Sequence, residues 1–181
     1  MKNNAVKRWL DSSFDKLHPK LQTLHLSGGT LQGSVEIRFG NGLANVVGKR
    51  LARKMNIPDK EQIPLTVNIQ HSENELHWNR IYDNTNNVNS VFIPIGTIQD
   101  GYWIEKTGPI TLKLTIDIID GGWFWRCIGV KLYGFPIPTG LIPKATAYKT
   151  IENEKYRFYV GFHFPILGLL FSYSGLLNVN S

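Results

Sequence analysis

The sequence predicts a mainly β protein whose strands form an antiparallel meander, closed or strongly curved into a lipocalin-like β-barrel. About eight to ten short segments alternate apolar and polar side chains, which is the period of a half-buried strand. Tight polar or glycine-containing turns join most of these segments, as they do in antiparallel hairpins. Because few stretches show helical spacing, the apolar face of the sheet has to be buried by closing the sheet on itself.

The composition is that of a folded globular protein. Apolar residues make up 42% of the 181 residues, which excludes a disordered chain. The single cysteine, Cys127, excludes a disulfide framework and a cysteine-based zinc site. We predict one domain over residues 1–181, with an N-terminal helical segment at 1–26 and the barrel at 31–181.

Two helices and one strand are predicted in the N-terminal third of the chain. The first helix is predicted at 6–17, and the strand runs from 33 to 39. The second helix spans 42–56, where apolar residues recur at intervals of four and predict a stripe that packs on the barrel. The residues of this stripe are Leu43, Val47, Leu51 and Met55.

The remaining strands follow in hairpins. They are predicted at 65–70, 76–82, 88–95, 102–105, 110–118, 124–132, 145–151 and 156–164. The uncharged run at 158–177 has the length of a membrane span. Pro165 interrupts this run, and the aromatic residues before it recur with a period of two, so a buried hairpin that turns at 165–168 is the favoured interpretation.

Two strands are predicted to carry polar side chains into the barrel. Trp78, Arg80 and Tyr82 share a strand face with the apolar Leu76. Phe124 and Arg126 lie on the apolar face of the returning strand together with Ile128, which leaves Trp123 and Trp125 for the outer face. An arginine inside a barrel needs a partner for its charge, because an unpaired buried charge costs several kcal/mol.

These inward residues define the candidate ligand site: Trp78, Arg80, Tyr82, Phe124 and Arg126. In the functional interpretation, the arginines hold the carboxylate or phosphate of an amphiphilic molecule whose apolar part lies against the aromatic lining. In the structural interpretation, Arg80 pairs with an acid on a neighbouring strand or lies at a mouth that is open to water. The first hypothesis is therefore a non-enzymatic binding domain for an apolar or amphiphilic small molecule.

The second hypothesis is a module that docks on an anionic membrane surface or on a protein. The net charge is +6, and the helix at 42–56 carries a cluster of basic residues. The apolar, proline-rich loop at 134–143 offers a second contact surface, unless it closes the end of the barrel. Packing on the protein's own domain is the ordinary alternative for such a helix. Its basic residues are Lys49, Arg50, Arg53 and Lys54.

Catalysis has the least support, and no cofactor or metal is predicted. The sequence contains neither a nucleophile elbow nor a phosphate-binding glycine loop, and Cys127 lies in the middle of a strand, where a thiol is usually inert. His71 and His77 flank a polar turn, but nothing in that turn would hold a metal geometry. Nucleic-acid binding is disfavoured because no exposed aromatic residues interleave with the basic helix.

Four segments resemble landmarks of the bacterial family called domain of unknown function 4166. They are KLHPKLQ, HWNRIYD, GFPIPTGLIP and FPILGLLFSYSGLL. The resemblance implies an intracellular bacterial domain that stands alone, in a family whose members occur either alone or behind a saccharopine dehydrogenase-like nucleotide-binding domain. It therefore suggests a redox enzyme as a partner but transfers no catalytic residue. The N-terminus lacks the features of a secretory signal, and we expect a cytoplasmic protein, in one interpretation peripheral to the membrane.

Overall fold

Strands make up most of the structure, a computed structural model that describes residues 4–180. The helices in this range are α1 (Ala5–Leu10), α2 (Pro19–Ser27) and α3 (Leu43–Lys54), with short 3-10 helices at Asp11–Lys16 and Thr139–Leu141. The strands are β1 (Gly29–Phe39), β2 (Gln62–His71), β3 (Leu76–Tyr82), β4 (Asn86–Ile95), β5 (Tyr102–Thr107), β6 (Ile110–Ile119), β7 (Gly122–Leu132), β8 (Phe135–Ile137), β9 (Lys144–Glu152), β10 (Lys155–Phe164) and β11 (Gly168–Asn180). Residues 1–3 of the predicted N-terminal segment and residue 181 of the predicted barrel lie outside the described residues.

The sheet closes on itself into an antiparallel barrel of ten strands. Neighbouring strands follow the order β6-β5-β4-β3-β2-β1-β11-β10-β9-β7, and the pairing of β7 with β6 closes the ring. The short strand β8 lies outside this ring and pairs with the end of β7. The prediction of a mainly β, closed antiparallel barrel is thereby confirmed.

The N-terminal helices close one end of the barrel. Because the strands alternate in direction, the turns after β2, β4, β6 and β9 all lie at this closed end. The backbone N–H of His18 donates to Gly121 O, and that of Ile98 donates to Trp9 O, each at 2.9 Å. Trp9 and Phe14 are each only 2% exposed, because the apolar face of this segment fills the end of the barrel.

The predicted helix at 6–17 is only partly correct. The α-helix ends at Leu10, and the chain continues as a 3-10 helix because Asp11 takes a positive φ of 48°. A further helix, α2, starts at Pro19, where the ring Nδ1 of His18 accepts a hydrogen bond from Lys20 N at 3.2 Å. The first strand also starts earlier than predicted, at Gly29 rather than at residue 33.

Helix α3 crosses the opposite end of the barrel, which we call the mouth. Near its middle the helix packs against the start of β11, and a Cβ atom on Gly48 would lie only 2.1 Å from Leu170 O. After its last turn Asn56 Nδ2 donates to Asn87 O on β4 at 3.0 Å. Since β4 and β11 lie on different sides of the ring, the helix spans part of the mouth.

The predicted apolar stripe of α3 is wrong at its first position. Leu43 is 65% exposed, whereas Val47, Leu51 and Met55 pack partly buried against the core. The fully buried positions of the helix belong to small residues, Ala44, Gly48 and Ala52. The reason is the close approach of the helix to the backbone of β11, which leaves no room for larger side chains.

The uncharged run at 158–177 lies in the hairpin of β10 and β11. Phe158 pairs with Gly175 and Val160 with Tyr173 in an antiparallel ladder. The chain turns between Phe164 and Gly168, as predicted. Among the described residues, 4–180, we find no helix with the length and apolar character needed to cross a membrane.

The predicted faces of β7 are inverted in its first half. Trp123 is fully buried and Trp125 and Cys127 lie on the cavity side, whereas Arg126 is exposed. The cause is a β-bulge opposite β6, where Lys113 pairs with Gly129 but Leu114 pairs with Cys127. The extra residue switches the alternation of the strand, so a face assigned from the second half of β7 is wrong for the first half.

Candidate functional site

A cavity of about 130 Å³ lies inside the barrel on the side of the mouth. Met55 and Ile57, which follow α3, line it at the mouth, and Trp78 and Trp125 line it toward the closed end. A cavity of this size holds a group about as large as benzene. Its walls are mainly apolar and include Val88, Leu112, Leu114, Ala147, Val160 and Phe162.

One wall of the cavity carries a connected polar cluster. The Arg80 guanidinium lies 3.8 Å from the Glu105 carboxylate and donates a hydrogen bond to Ser90, which lies on the strand between them. Ser90 and Thr107 donate to the same carboxylate at 2.9 and 3.1 Å. The side chains of Arg80 and Glu105 are only 14% and 15% exposed. The carboxylate therefore neutralises a guanidinium that has lost most of its water.

Two further hydrogen-bonding groups line the cavity beside this cluster. Arg80 Nε is buried and makes no hydrogen bond within residues 4–180. Burial raises the pKa of Tyr82, and the neighbouring Tyr173 raises it further. The Tyr82 phenol therefore stays protonated at neutral pH and keeps its donor hydrogen. The polar wall thus retains donors although its charges are balanced.

A layer of aromatic rings separates the cavity from the closed end. The ring of Phe92 stacks on Trp125 with centroids 5.5 Å apart and meets Trp78 edge-on at 5.9 Å. Trp125 also contacts Trp103 and Trp123 at 6.3 and 5.1 Å. Edge-on and stacked contacts of this kind favour a fixed arrangement of the rings. We call Trp78 and Trp125 the cavity floor.

Lys149 lies directly beneath the cavity floor and is 2% exposed. Its Nζ atom is 3.9 Å from the ring centroid of Trp123 and 4.6 Å from that of Trp78. Its polar neighbour is His25, whose Nε2 lies 2.7 Å away. Among residues 4–180, no aspartate or glutamate forms a salt bridge with Lys149.

The buried basic groups at the closed end have lowered pKa values. Burial lowers the pKa of Lys149 well below its usual value, because the charged form has lost its water. The pKa of His25 is likewise lowered, first by burial and then by Lys149 and His71. For His71, burial lowers the pKa although its ring bonds to Leu24 O. These groups therefore favour their neutral forms.

The structure divides the five predicted ligand-site residues between the two faces of the barrel. Trp78, Arg80 and Tyr82 line the cavity. Phe124 and Arg126 lie on the outer face, so the prediction that they point inward is wrong. Phe124 stacks on Tyr148 at 5.3 Å, and the Arg126 guanidinium lies 3.3 Å from Asp117 Oδ1 with 62% of its side chain exposed.

The predicted surface residues lie around the mouth of the barrel. Lys49 pairs with Asp59 at 3.0 Å and lies over the Phe39 ring, whereas Arg50, Arg53 and Lys54 are exposed on α3. The proline loop turns back along the end of β7 as β8, and it exposes Phe135 and Leu141 by 74% and 71%.

The two histidines that flank the β2–β3 turn do not converge. His77 pairs with Glu75 at 3.0 Å, whereas His71 turns toward the closed end and contacts the His25 ring edge-on at 5.9 Å. Among the described residues, 4–180, no cluster of three or more His, Cys, Asp and Glu side chains is placed to hold a metal ion.

Sequence reasoning missed Lys149, His25 and Glu105. Glu105 and Thr107 share a face of β5 with the buried Trp103, and this spacing of two was available from the sequence. Lys149 shares a strand face with Ala145 and Ala147, but two small residues do not mark a face as buried. His25 is brought to Lys149 from a separate helix, and no spacing in the sequence indicates that contact.

Comparison with known proteins adds one match. A family profile described as "Domain of unknown function (DUF4166)" matches residues 17–177, which is nearly the whole chain. Among curated proteins, none has a significant sequence match to this chain.

Proposed function

Since the chain belongs to the DUF4166 family, whose description assigns no activity, we propose a function from the barrel interior: the cavity binds a small, mainly apolar molecule with one hydrogen-bonding end. The observation that carries this proposal is the cavity of about 130 Å³ with apolar walls and one polar cluster. Sites for small molecules commonly combine an apolar lining with a few placed polar groups.

The polar wall favours a neutral oxygen on the ligand over a carboxylate. Glu105 already balances the charge of Arg80, so a second carboxylate would introduce an uncompensated charge in a place with little water. Arg80 Nε is a donor of this wall that has no partner within residues 4–180. A hydroxyl or carbonyl oxygen would accept from it. We therefore propose an alcohol, ketone, aldehyde or amide in place of the carboxylate or phosphate that was expected from the sequence.

The first test titrates the protein with n-hexanol and monitors binding by tryptophan fluorescence. Trp78 and Trp125 line the cavity, so occupancy of the cavity changes their environment. The test variant is Ala147→Leu, because a leucine at this position fills the cavity. The matched control is Thr146→Leu on the same strand, where the residue is exposed on the outer face. Saturable binding that Ala147→Leu removes and Thr146→Leu keeps supports the proposal.

The proposed binding function would be overturned if the cavity bound no probe. The contradicting result is an unchanged fluorescence signal up to the solubility of n-hexanol, or equal binding by Ala147→Leu and the wild type. Native mass spectrometry of gently purified protein, beside a denatured control, identifies any natural occupant by the mass that denaturation releases. That mass gives the chemical class of the ligand independently of the probe.

A second candidate function is docking of the mouth on an anionic membrane. Several large apolar side chains are exposed around the mouth beside the basic residues of α3, and this combination suits a membrane interface. Docking in this orientation would bring the cavity entrance to the lipid surface. The exposed apolar residues are Leu43, Val46, Tyr133, Phe135, Leu141 and Ile166.

Vesicle flotation tests the docking function. Vesicles with anionic lipid should bind the protein at low salt, and binding should fall as salt rises. Arg50→Gln/Lys54→Gln should weaken binding, whereas the control Lys16→Gln/Lys155→Gln removes two exposed charges at the closed end and should not. An equal loss of vesicle binding in both double variants would show a nonspecific charge effect and would contradict a role for α3 in docking.

A further inference from the structure

The surroundings of Lys149 leave its amine without a charge partner. Helix α2 contributes His25, β2 contributes His71, and β3 and β7 contribute tryptophan rings. Within residues 4–180, neither an aspartate nor a glutamate forms a salt bridge with Lys149. A permanently charged ammonium in this place would cost several kcal/mol. A neutral amine avoids that cost and carries a free electron pair, which makes it a nucleophile.

The amine is one layer of side chains away from the proposed ligand cavity. Lys149 follows Ala147 on the same face of β9, and Ala147 lines the cavity. The rings of Trp78 and Trp125, which form the cavity floor, lie 4.6 and 5.8 Å from Lys149 Nζ. Trp78 Nε1 makes no hydrogen bond within residues 4–180, so packing alone holds this ring in place. An aldehyde can therefore reach the amine from the cavity only if the Trp78 side chain rotates out of its edge-on contact with Phe92.

We propose that Lys149 is the amine of a covalent site that forms an imine with an apolar aldehyde entering through the cavity. This inference rests on the proposed function, because the cavity supplies the route and binds the apolar part of the aldehyde. A molecule with about six carbon atoms and a terminal carbonyl has the size of the benzene-sized cavity. In this orientation the carbonyl end is directed at the floor and not at the polar wall, so that with Trp78 rotated its carbonyl carbon lies toward Nζ.

The reaction needs a group that accepts protons from the amine, and His25 lies in the position for this role. The Nζ electron pair attacks the carbonyl carbon, and His25 Nε2, 2.7 Å from Nζ, passes the first of the two N–H protons to the carbonyl oxygen, which gives a carbinolamine. The second N–H proton then moves through His25 to the hydroxyl oxygen as the C–O bond breaks, and water departs. The products are one imine and one water, with no oxidant or reductant required.

Reductive trapping with n-hexanal and cyanoborohydride tests this inference on the whole protein. Near pH 6 lysines with the ordinary pKa of about 10.4 are almost fully protonated and react slowly. Lys149 should therefore be the main modified lysine, and peptide mapping separates it from the α-amino group. The variant Lys149→Met should lose that label. The control Lys113→Met removes an exposed lysine whose amine lies 3.7 Å from the Tyr102 ring centroid, and it should keep the label.

A second variant separates a reactive site from a merely buried lysine. His25→Phe retains a ring to stack on Trp123, which lies 4.7 Å away, but removes the proton acceptor. Labelling of Lys149 should then slow by on the order of a hundredfold, while n-hexanol binding is unchanged. An unchanged labelling rate would overturn the role of His25.

The titration with n-hexanol distinguishes the failure of this inference from that of the proposed function. If n-hexanol binds but Lys149 stays unmodified by n-hexanal, the cavity stands and the covalent site is overturned. If n-hexanol does not bind and Lys149 is also unmodified, both proposals are overturned.

Discussion

Arg80 and Lys149, two basic side chains of the barrel interior, lie in opposite environments. Arg80, near the mouth, lies beside a carboxylate and two hydroxyl groups. Lys149, near the closed end, lies beside an imidazole and aromatic faces, and no acid within residues 4–180 pairs with it. The Arg80 guanidinium keeps its charge, which Glu105 balances. The Lys149 amine favours the loss of its charge.

The difference follows from the chemistry of the two side chains. A guanidinium stays protonated under all ordinary conditions, so burial obliges the protein to provide an acid. An amine has a second option, since a lowered pKa allows it to release its proton. A buried arginine therefore indicates a partner, whereas a buried lysine without one indicates a neutral and reactive group.

The largest expected effect comes from removing the acid beside Arg80. Glu105→Leu leaves the guanidinium buried without a counter-charge and should lower the free energy of unfolding by about 3–5 kcal/mol. Urea unfolding followed by tryptophan fluorescence measures it. The double variant Arg80→Met/Glu105→Leu should recover most of the loss, since it removes both charges. A loss below about 1 kcal/mol in the single variant would mean that water at the mouth solvates Arg80.

Replacing Lys149 should stabilise the protein, in contrast to the replacement of Glu105. Lys149→Met removes a buried polar group and should raise the free energy of unfolding by about 1–3 kcal/mol near pH 6. The unfolded chain binds this proton up to the ordinary pKa of about 10.4, whereas the folded protein releases it at lower pH. The free energy of unfolding of the wild type therefore rises with pH between these two pKa values. The difference in this free energy between the wild type and Lys149→Met becomes smaller over the same range. Urea unfolding at a series of pH values tests this; a constant difference would contradict a lowered pKa.

Acid should lower the free energy of unfolding through His25, the polar neighbour of Lys149. The pKa of His25 is lowered in the folded protein, so the unfolded chain takes up the proton first as the pH falls below about 6.5. Each pH unit below that value should cost up to about 1.4 kcal/mol of stability per such histidine. His25→Phe should flatten this acid limb, measured by urea unfolding between neutral and mildly acidic pH. An equally steep limb in the variant would assign the acid sensitivity elsewhere.

The smallest effect is expected for the arginine on the outer face of the barrel. Arg126 and Asp117 form an exposed pair with 62% and 48% of their side chains accessible, and such pairs contribute about 0–1 kcal/mol. Arg126→Met should therefore change neither urea unfolding nor n-hexanol binding appreciably. The same substitution at Arg80 should weaken n-hexanol binding, because it removes the donor on the polar wall. Equal effects at both positions would contradict the assignment of faces.

Much of the barrel was predictable from local patterns. Regular alternation at 65–70 and 76–82 placed β2 and β3 on the correct segments, and it placed Arg80 on the inner face. The same reasoning failed for Arg126 because one bulged residue on β7 switches the alternation. A bulge depends on pairing with the neighbouring strand, which the sequence of β7 alone does not report.

The sequence by itself predicted most of the strands, their hairpin connections and an inward arginine that needs a partner for its charge, because these depend on residues close together in the chain. Only the tertiary structure decided which acid that is, since Glu105 on β5 reaches Arg80 on β3 across Ser90. It also decided that Lys149 meets His25 over a separation of 124 residues. Such contacts arise when the sheet closes and α2 fills its end, and the burial that lowers the Lys149 pKa exists only in that closed barrel.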